Sequence, residues 1–141
     1  MARTSAVPNK RDDFGEQLRE AFAREAESVL RCLFYARRAD VEGRADIAAV
    51  LRSVAEGEIS QAFGHLEFLE ETGDPLAGGG DAAGDLAAVI DTEGRAVERY
   101  GELAAAARQA GLADAAEWFD SLVAAETVHL GVLRRAAAID Q

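Results

Sequence analysis

Four glutamates in this 141-residue chain stand at matched places in its two halves. A shift of 68 residues lays Glu25 on Glu93, Glu58 on Glu126 and Gln61 on His129. Each half therefore supplies one lone Glu and one Glu-x-x-(Gln/His) pair, and residues three apart sit one turn apart on a single helix face. Two lone glutamates with two Glu-x-x-His pairs form the ligand set of di-iron and di-manganese carboxylate bundles. Oxygen-rich donors with one or two imidazoles suit iron or manganese better than copper. The candidate metal ligands are thus Glu25, Glu58, Gln61, Glu93, Glu126 and His129. A single glutamate in a helix seam is usually a partly exposed residue or a member of an ion pair. The constant offset and the His at the third position shift the balance toward metal. Gln61 breaks the symmetry, because an amide oxygen is a neutral and weaker ligand than imidazole.

These residues need helices to position them. Apolar residues recur at alternating spacings of three and four in four segments, as a bundle seam requires. The first stripe runs from Phe14 through Leu18, Glu25, Val29 and Cys32 to Ala39. The second runs from Ile47 through Leu51, Val54, Glu58 and Gln61 to Phe68. The third joins Leu86, Ile90, Glu93, Val97, Tyr100 and Ala107, and the fourth Ala115, Phe119, Leu122, Glu126, His129 and Leu133. Gly43 and Gly111 read as helix C-caps, with Asp46 and Asp114 just beyond them at the next helix starts. Both links are short, so each half is an antiparallel hairpin. The shift also matches Ala48 with Ala116 and Ser53 with Ser121, so the two hairpins read as a duplication.

Residues 72–84 form a longer, glycine-rich loop, with Asp85 as the N-cap expected after it. If Glu58 and Glu93 lie at one height on parallel helices, this connection must cover roughly 30 Å at 1.5 Å of helix rise per residue. About 15 residues reach roughly 50 Å. A crossover between helices 2 and 3 is therefore feasible, and so is exchange of hairpins between two subunits. The expected fold is all-α: a ferritin-like four-helix bundle over residues 10–141, with residues 1–9 as a flexible N-terminus.

Composition narrows the class further. Almost half of the residues are apolar, and the size suits one domain. The net charge of −11 argues against a nucleic-acid or anionic-membrane partner. A single cysteine, Cys32, excludes an internal disulfide and any Cys-x-x-Cys metal site. No stretch suits a bilayer span, and Met1 to Lys10 lacks the apolar core of a signal peptide, so the expected location is cytoplasmic.

Several segments, in order, resemble the rubrerythrin family of the ferritin-like superfamily. Ala21-Phe-Ala-Arg-Glu25 and Ala39-Asp-Val-Glu-Gly43 are similar to its first helix. Ala55-Glu-Gly-Glu58 with Gly64-His-Leu66 is similar to its second, and Ala125-Glu-Thr-Val-His129 to its fourth. The resemblance spans nearly all of residues 12–138. It implies a helical bundle, often dimeric, whose di-iron site reduces hydrogen peroxide. On this resemblance Glu58 and Glu126 would bridge two metals, Glu25 would be a terminal ligand of one, and Glu93 and His129 would serve the other. The implied cofactor is two iron ions, with manganese or a mixed pair as variants. The implied partners are hydrogen peroxide or dioxygen, an external electron donor and a second copy of the chain.

The sequence departs from that pattern in two ways. Gln61 takes the usual His position. Glu93 precedes Tyr100 by seven residues where the family has eight, and Ala96 stands where a second Glu is usual. An extra helical residue makes a π-bulge, so its absence implies a regular third helix. Cys32 and Tyr100 are mates under the shift, each two turns past a ligand Glu, and are expected to line the cavity beside the metal without binding it. Cys32 reads first as a small buried hydrophobe and second as a redox-active thiol. His65 reads as a core or rim histidine. Glu27 and Glu56 point off the seam, and Phe22, Phe34, Trp118 and Phe119 read as packing groups. The expected function is di-metal redox chemistry linked to peroxide or oxygen. The alternatives are iron binding or storage without turnover, and a structural bundle holding one metal or none.

Overall fold

The computed structural model describes residues 10–139, with the side chains of residues 11 and 12 left aside. All of its regular structure is helical. Helix α1 spans Lys10–Val41, α2 Ala45–Glu71, α3 Ala82–Gln109 and α4 Ala113–Ile139, with a 3-10 turn at Pro75–Ala77. No strand occurs among the described residues, and none of their helices is long and apolar enough to cross a membrane. The flexible N-terminus expected over residues 1–9 lies outside the described residues. The chain divides between Ala77 and Gly78 into two units. In the first α1 packs on α2, and in the second α3 packs on α4.

The two hairpins repeat each other in detail. Val41 and Gln109 end their first helices, and Ala45 and Ala113 begin the second. Each of these pairs is separated by the same offset as the glutamates. The turns close identically. The Gly43 N–H donates to the Asp40 carbonyl at 3.0 Å, and the Arg44 N–H to the Ala39 carbonyl at 2.8 Å. The Gly111 N–H donates to the Arg108 carbonyl at 3.1 Å, and the Leu112 N–H to the Ala107 carbonyl at 2.9 Å. This is the Schellman arrangement, which needs a left-handed residue at its centre. Gly43 and Gly111 supply it with φ of 74° and 73°. Asp46 sits in the first turn of α2, where the Arg44 guanidinium holds its carboxyl below the usual range.

Each hairpin closes around small residues. Ala36 and Ala48 are fully buried in the first and pack with Ala39 and the partly buried Leu51. Their counterparts Ala104, Ala107 and Ala116 are buried in the second. Alanine at these points lets two helices approach near the lower end of the usual range of about 8–10 Å. Such a core is thin: among the described residues, Leu69 is the one large side chain that is fully buried.

Three expectations need correction. The packed line of α2 is Ala48, Ala55, Ala62 and Leu69, one residue beyond the expected stripe. Ile47, Val54, Gln61 and Phe68 are exposed. Close helix contact selects the seven-residue alanine line, whereas apolar periodicity alone favoured the larger neighbours. Second, Asp81 and not Asp85 caps α3, accepting the Gly84 N–H at 2.7 Å. Asp81 has the extended backbone that an N-cap uses, with φ −149° and ψ 169°. Third, the glycine run is a built turn. The Gly79 N–H donates to the Asp85 carboxylate at 2.8 Å, and a Cβ on Gly79 would come within 2.4 Å of the Gly84 backbone. The regular third helix holds: α3 is α-helical throughout.

Candidate metal centre

Helices α3 and α4 bring three of the expected ligands together. Glu126 and His129 stand three residues apart on α4, and Glu93 faces them from α3. One ligand atom from each of Glu93, Glu126 and His129 lies within 4.8 Å of the others. His129 Nδ1 is hydrogen-bonded to Glu126 Oε2 at 3.0 Å and stands 3.9 Å from Glu93 Oε2. With bonds of about 2.1 Å from an ion to oxygen and nitrogen, two ligands of one ion stand roughly 3–4 Å apart. The 3.0 and 3.9 Å separations from His129 Nδ1 lie in that range. The Glu93 and Glu126 side chains are partly buried, and His129 is exposed at the edge of the cluster.

The electrostatics show two acids competing for one proton. A hydrogen bond with Glu126, followed by desolvation, pushes the Glu93 carboxyl above the usual range. The same hydrogen bond, followed by that with His129, holds Glu126 below it. Like charges in contact cannot both ionise cheaply, so the pair shares a proton at pH below the raised Glu93 value.

The first hairpin carries the matching carboxylates without the imidazole. Glu25 on α1 and Glu58 on α2 are partly buried, whereas Gln61 is exposed. Glu58 Oε2 is buried with no hydrogen-bond partner among the described residues. A carboxylate oxygen withdrawn from water without a donor is costly, and a cation relieves it. His65 is partly buried.

The surrounding residues divide as follows. Tyr100 stacks on Phe119, with ring centroids 6.1 Å apart and planes at 24°. Its mate Cys32 lies in a surface groove beside Ser28, Arg31 and Tyr35. Glu27 and Glu56 are exposed, as expected off the seam. Phe22 and Phe119 are partly buried, but Phe34 and Trp118 are exposed. The reading of those two as packing groups is corrected: both lie on helix faces turned away from their hairpin partner. The sequence signal that separates them is their place off the alanine lines.

Fold and cluster together define an all-helical protein of two repeated hairpins with a carboxylate–imidazole cluster in the second. No protein-family model and no curated protein matches the sequence.

Proposed function

We propose that this chain is a metal-binding carboxylate protein of ferritin-like type, similar to rubrerythrins, that holds two iron ions for redox chemistry linked to peroxide or oxygen. The single observation that carries the reading is the Glu93–Glu126–His129 cluster on facing helices. The orphaned Glu58 oxygen supports a second cation position in the first hairpin. On this proposal Glu93, Glu126 and His129 would hold one metal, and Glu25, Glu58 and Gln61 the other. Residues 72–81 then act as the crossover of a four-helix bundle. Bound iron would supply the electrons for reduction of the oxidant. The chain's own residues would bind and charge-balance the ions: four carboxylates against two divalent cations leave a nearly neutral site.

A second reading has one specific observation in its favour. Among the described residues only the second hairpin gathers three ligands, and Gln61 is exposed. This reading has one ion at Glu93, Glu126 and His129, and iron handling without turnover.

Metal analysis after loading with ferrous iron separates the two. Nearly two ions per chain, with peroxide consumption that is lost in Glu58→Ala, is the expected result. One ion per chain, unchanged in Glu58→Ala, establishes the second reading. No bound metal overturns both and leaves a structural bundle.

A further inference from the structure

Helix α1 carries a stripe on its outer face that hairpin formation does not use. Spaced at alternating four and three residues, it begins with Glu16, Glu20, Ala23 and Glu27 and continues with Leu30, Phe34, Arg37 and Val41. Every one of these residues is exposed. Leu30 is 68% exposed, Phe34 49% and Val41 85%. The stripe is polarised: its N-terminal half is acidic, and its C-terminal half is apolar and basic.

The basic end is organised. The guanidiniums of Arg37 and Arg38 lie over the Phe34 ring, at 5.2 and 5.3 Å from its centroid. Most other arginines of the described chain pair with carboxylates, as in Arg24–Glu20, Arg31–Glu27 and Arg52–Asp40. Arg37 and Arg38 are not among the ion pairs of the described residues. They are held against an aromatic face with their hydrogen-bond donors free to meet an anion.

The second hairpin serves as an internal control. At the positions of α3 matching Leu30, Phe34, Arg37 and Val41 stand Glu98, Glu102, Ala105 and Gln109, all exposed. The same hairpin fold therefore forms without an apolar outer face, so the α1 stripe answers a need beyond the hairpin. Its reversed halves identify the occupant. An identical helix laid antiparallel, with a two-fold axis at the height of residues 28 and 29, sets Glu20 against Arg37. It also sets Ala23 against Phe34, small against large, and Glu27 against Leu30, one residue from Arg31. A two-fold interface must be self-complementary, and a helix acidic at one end and basic at the other meets that condition only when antiparallel.

We propose that the outer face of α1 is a homodimer interface, formed by antiparallel pairing with α1 of a second copy. The inference is independent of any bound metal. Alternating spacings of three and four suit such pairing, with side chains of one helix entering gaps on the other. Phe34, set opposite Ala23 of the second copy, is the anchor on each side of the axis, and the Glu20–Arg37 pairs beyond it fix the register.

Sedimentation velocity of the full chain in chelator, over a range of concentrations, tests the proposal. The wild type is expected to form dimers whose affinity falls with added salt. Phe34→Asp and Arg37→Glu are each expected to weaken dimerisation about tenfold or more, as loss of an aromatic or arginine anchor does. Adding Glu20→Arg to Arg37→Glu restores the opposed charges and is expected to recover most of the affinity. Cross-linking provides a check that does not rely on weakening. In a Cys32→Ser background, Ala23→Cys and Phe34→Cys chains are mixed and treated with a short bismaleimide. They should join to each other in preference to themselves. A monomeric wild type, a dimer indifferent to Phe34→Asp, failure of the charge swap to restore pairing, or equal cross-linking in all combinations would each overturn it.

Discussion

The first and second hairpins share a backbone plan but not a chemistry. Their first helices end and their second helices begin at equivalent residues, and their turns close on glycines with φ of 74° and 73°. Fully buried alanines, Ala36 and Ala104, stand at the same point. Yet one hairpin gathers Glu93, Glu126 and His129, while the other leaves a Glu58 oxygen without a partner. Tyr100 stacks on Phe119 in the second, where the first has Cys32 and Leu51 at the equivalent places. A hairpin of this kind is fixed by one glycine and a line of small residues. Among the candidate ligands the glutamates match, and the divergence falls on one pair, Gln61 against His129.

The strongest way to break this comparison is to remove equivalent ligands. Loss of a group that merely orients a ligand costs about 10–100-fold in metal affinity, so Glu126→Ala should cost about 100-fold or more. Glu58→Ala should cost distinctly less for the first ion bound, because its hairpin lacks the imidazole. Titration of both variants with ferrous iron under anaerobic conditions measures the difference. Equal losses would show that the asymmetry has no energetic meaning. Gln61→His sharpens the same contrast and should tighten the weaker position.

Much of this plan was legible in the sequence because few residues carry it. Gly43 and Gly111 announce the turns, since a left-handed residue is costly for any side chain with a Cβ. The Glu93–Glu126–His129 cluster was legible because residues three apart share a helix face and the repeat supplied the partner. Other features were not. Apolar size drew the α2 seam onto Ile47, Val54 and Phe68, whereas packing follows Ala48, Ala55 and Ala62. Burial of a methyl group is worth only about 0.8 kcal/mol, so alanine gives a weak hydrophobic signal even where it decides helix contact. Asp81 and Asp85 are equally plausible caps by type. Only the backbone at Asp81 and the approach of Gly79 to Gly84 tell them apart.

The shared core predicts equal responses in the two halves. Ala36→Leu and Ala104→Leu each force a larger side chain into a fully buried site, at an expected cost of about 1–3 kcal/mol. Urea denaturation of both variants checks the magnitude. A cost confined to one variant would show that the hairpins are not packed alike, whatever their sequence match.

A smaller contrast lies in the pH dependence of the metal-free protein. Glu93 has a carboxyl raised in the folded state, so its contribution is present at low pH and is lost as pH rises through the raised value. Glu126 has a lowered carboxyl, so its contribution is present above the unfolded value and is lost as pH falls through the lowered one. The hydrogen-bonded pair is therefore most stabilising between the two, where it holds one proton, and weakens as pH rises and Glu93 ionises. Glu93→Gln keeps a donor for Glu126 and removes that loss, so its denaturation midpoint should fall less than that of the wild type as pH is raised from the usual carboxylate range. An unchanged pH profile would mean that the acids do not share a proton.

The smallest expected effect concerns an ion pair that the two halves write in opposite order. Asp40 pairs with Arg52 in the first hairpin, and Arg108 pairs with Asp120 at the same two places in the second. All four side chains are roughly half exposed, so water and salt screen the attraction, and each pair is worth about 0.2–1 kcal/mol. What the geometry requires is opposite charges across the helices near the turn, in either order. Arg52→Asp alone sets two carboxylates against each other and should destabilise slightly. Asp40→Arg with Arg52→Asp gives the first hairpin the order of the second and should restore the wild-type midpoint. A double-mutant cycle in low salt measures the coupling, which should shrink as salt is added. If the reversed pair fails to recover stability, the first hairpin depends on its own charge order, and the likeness of the two turns stops at the backbone.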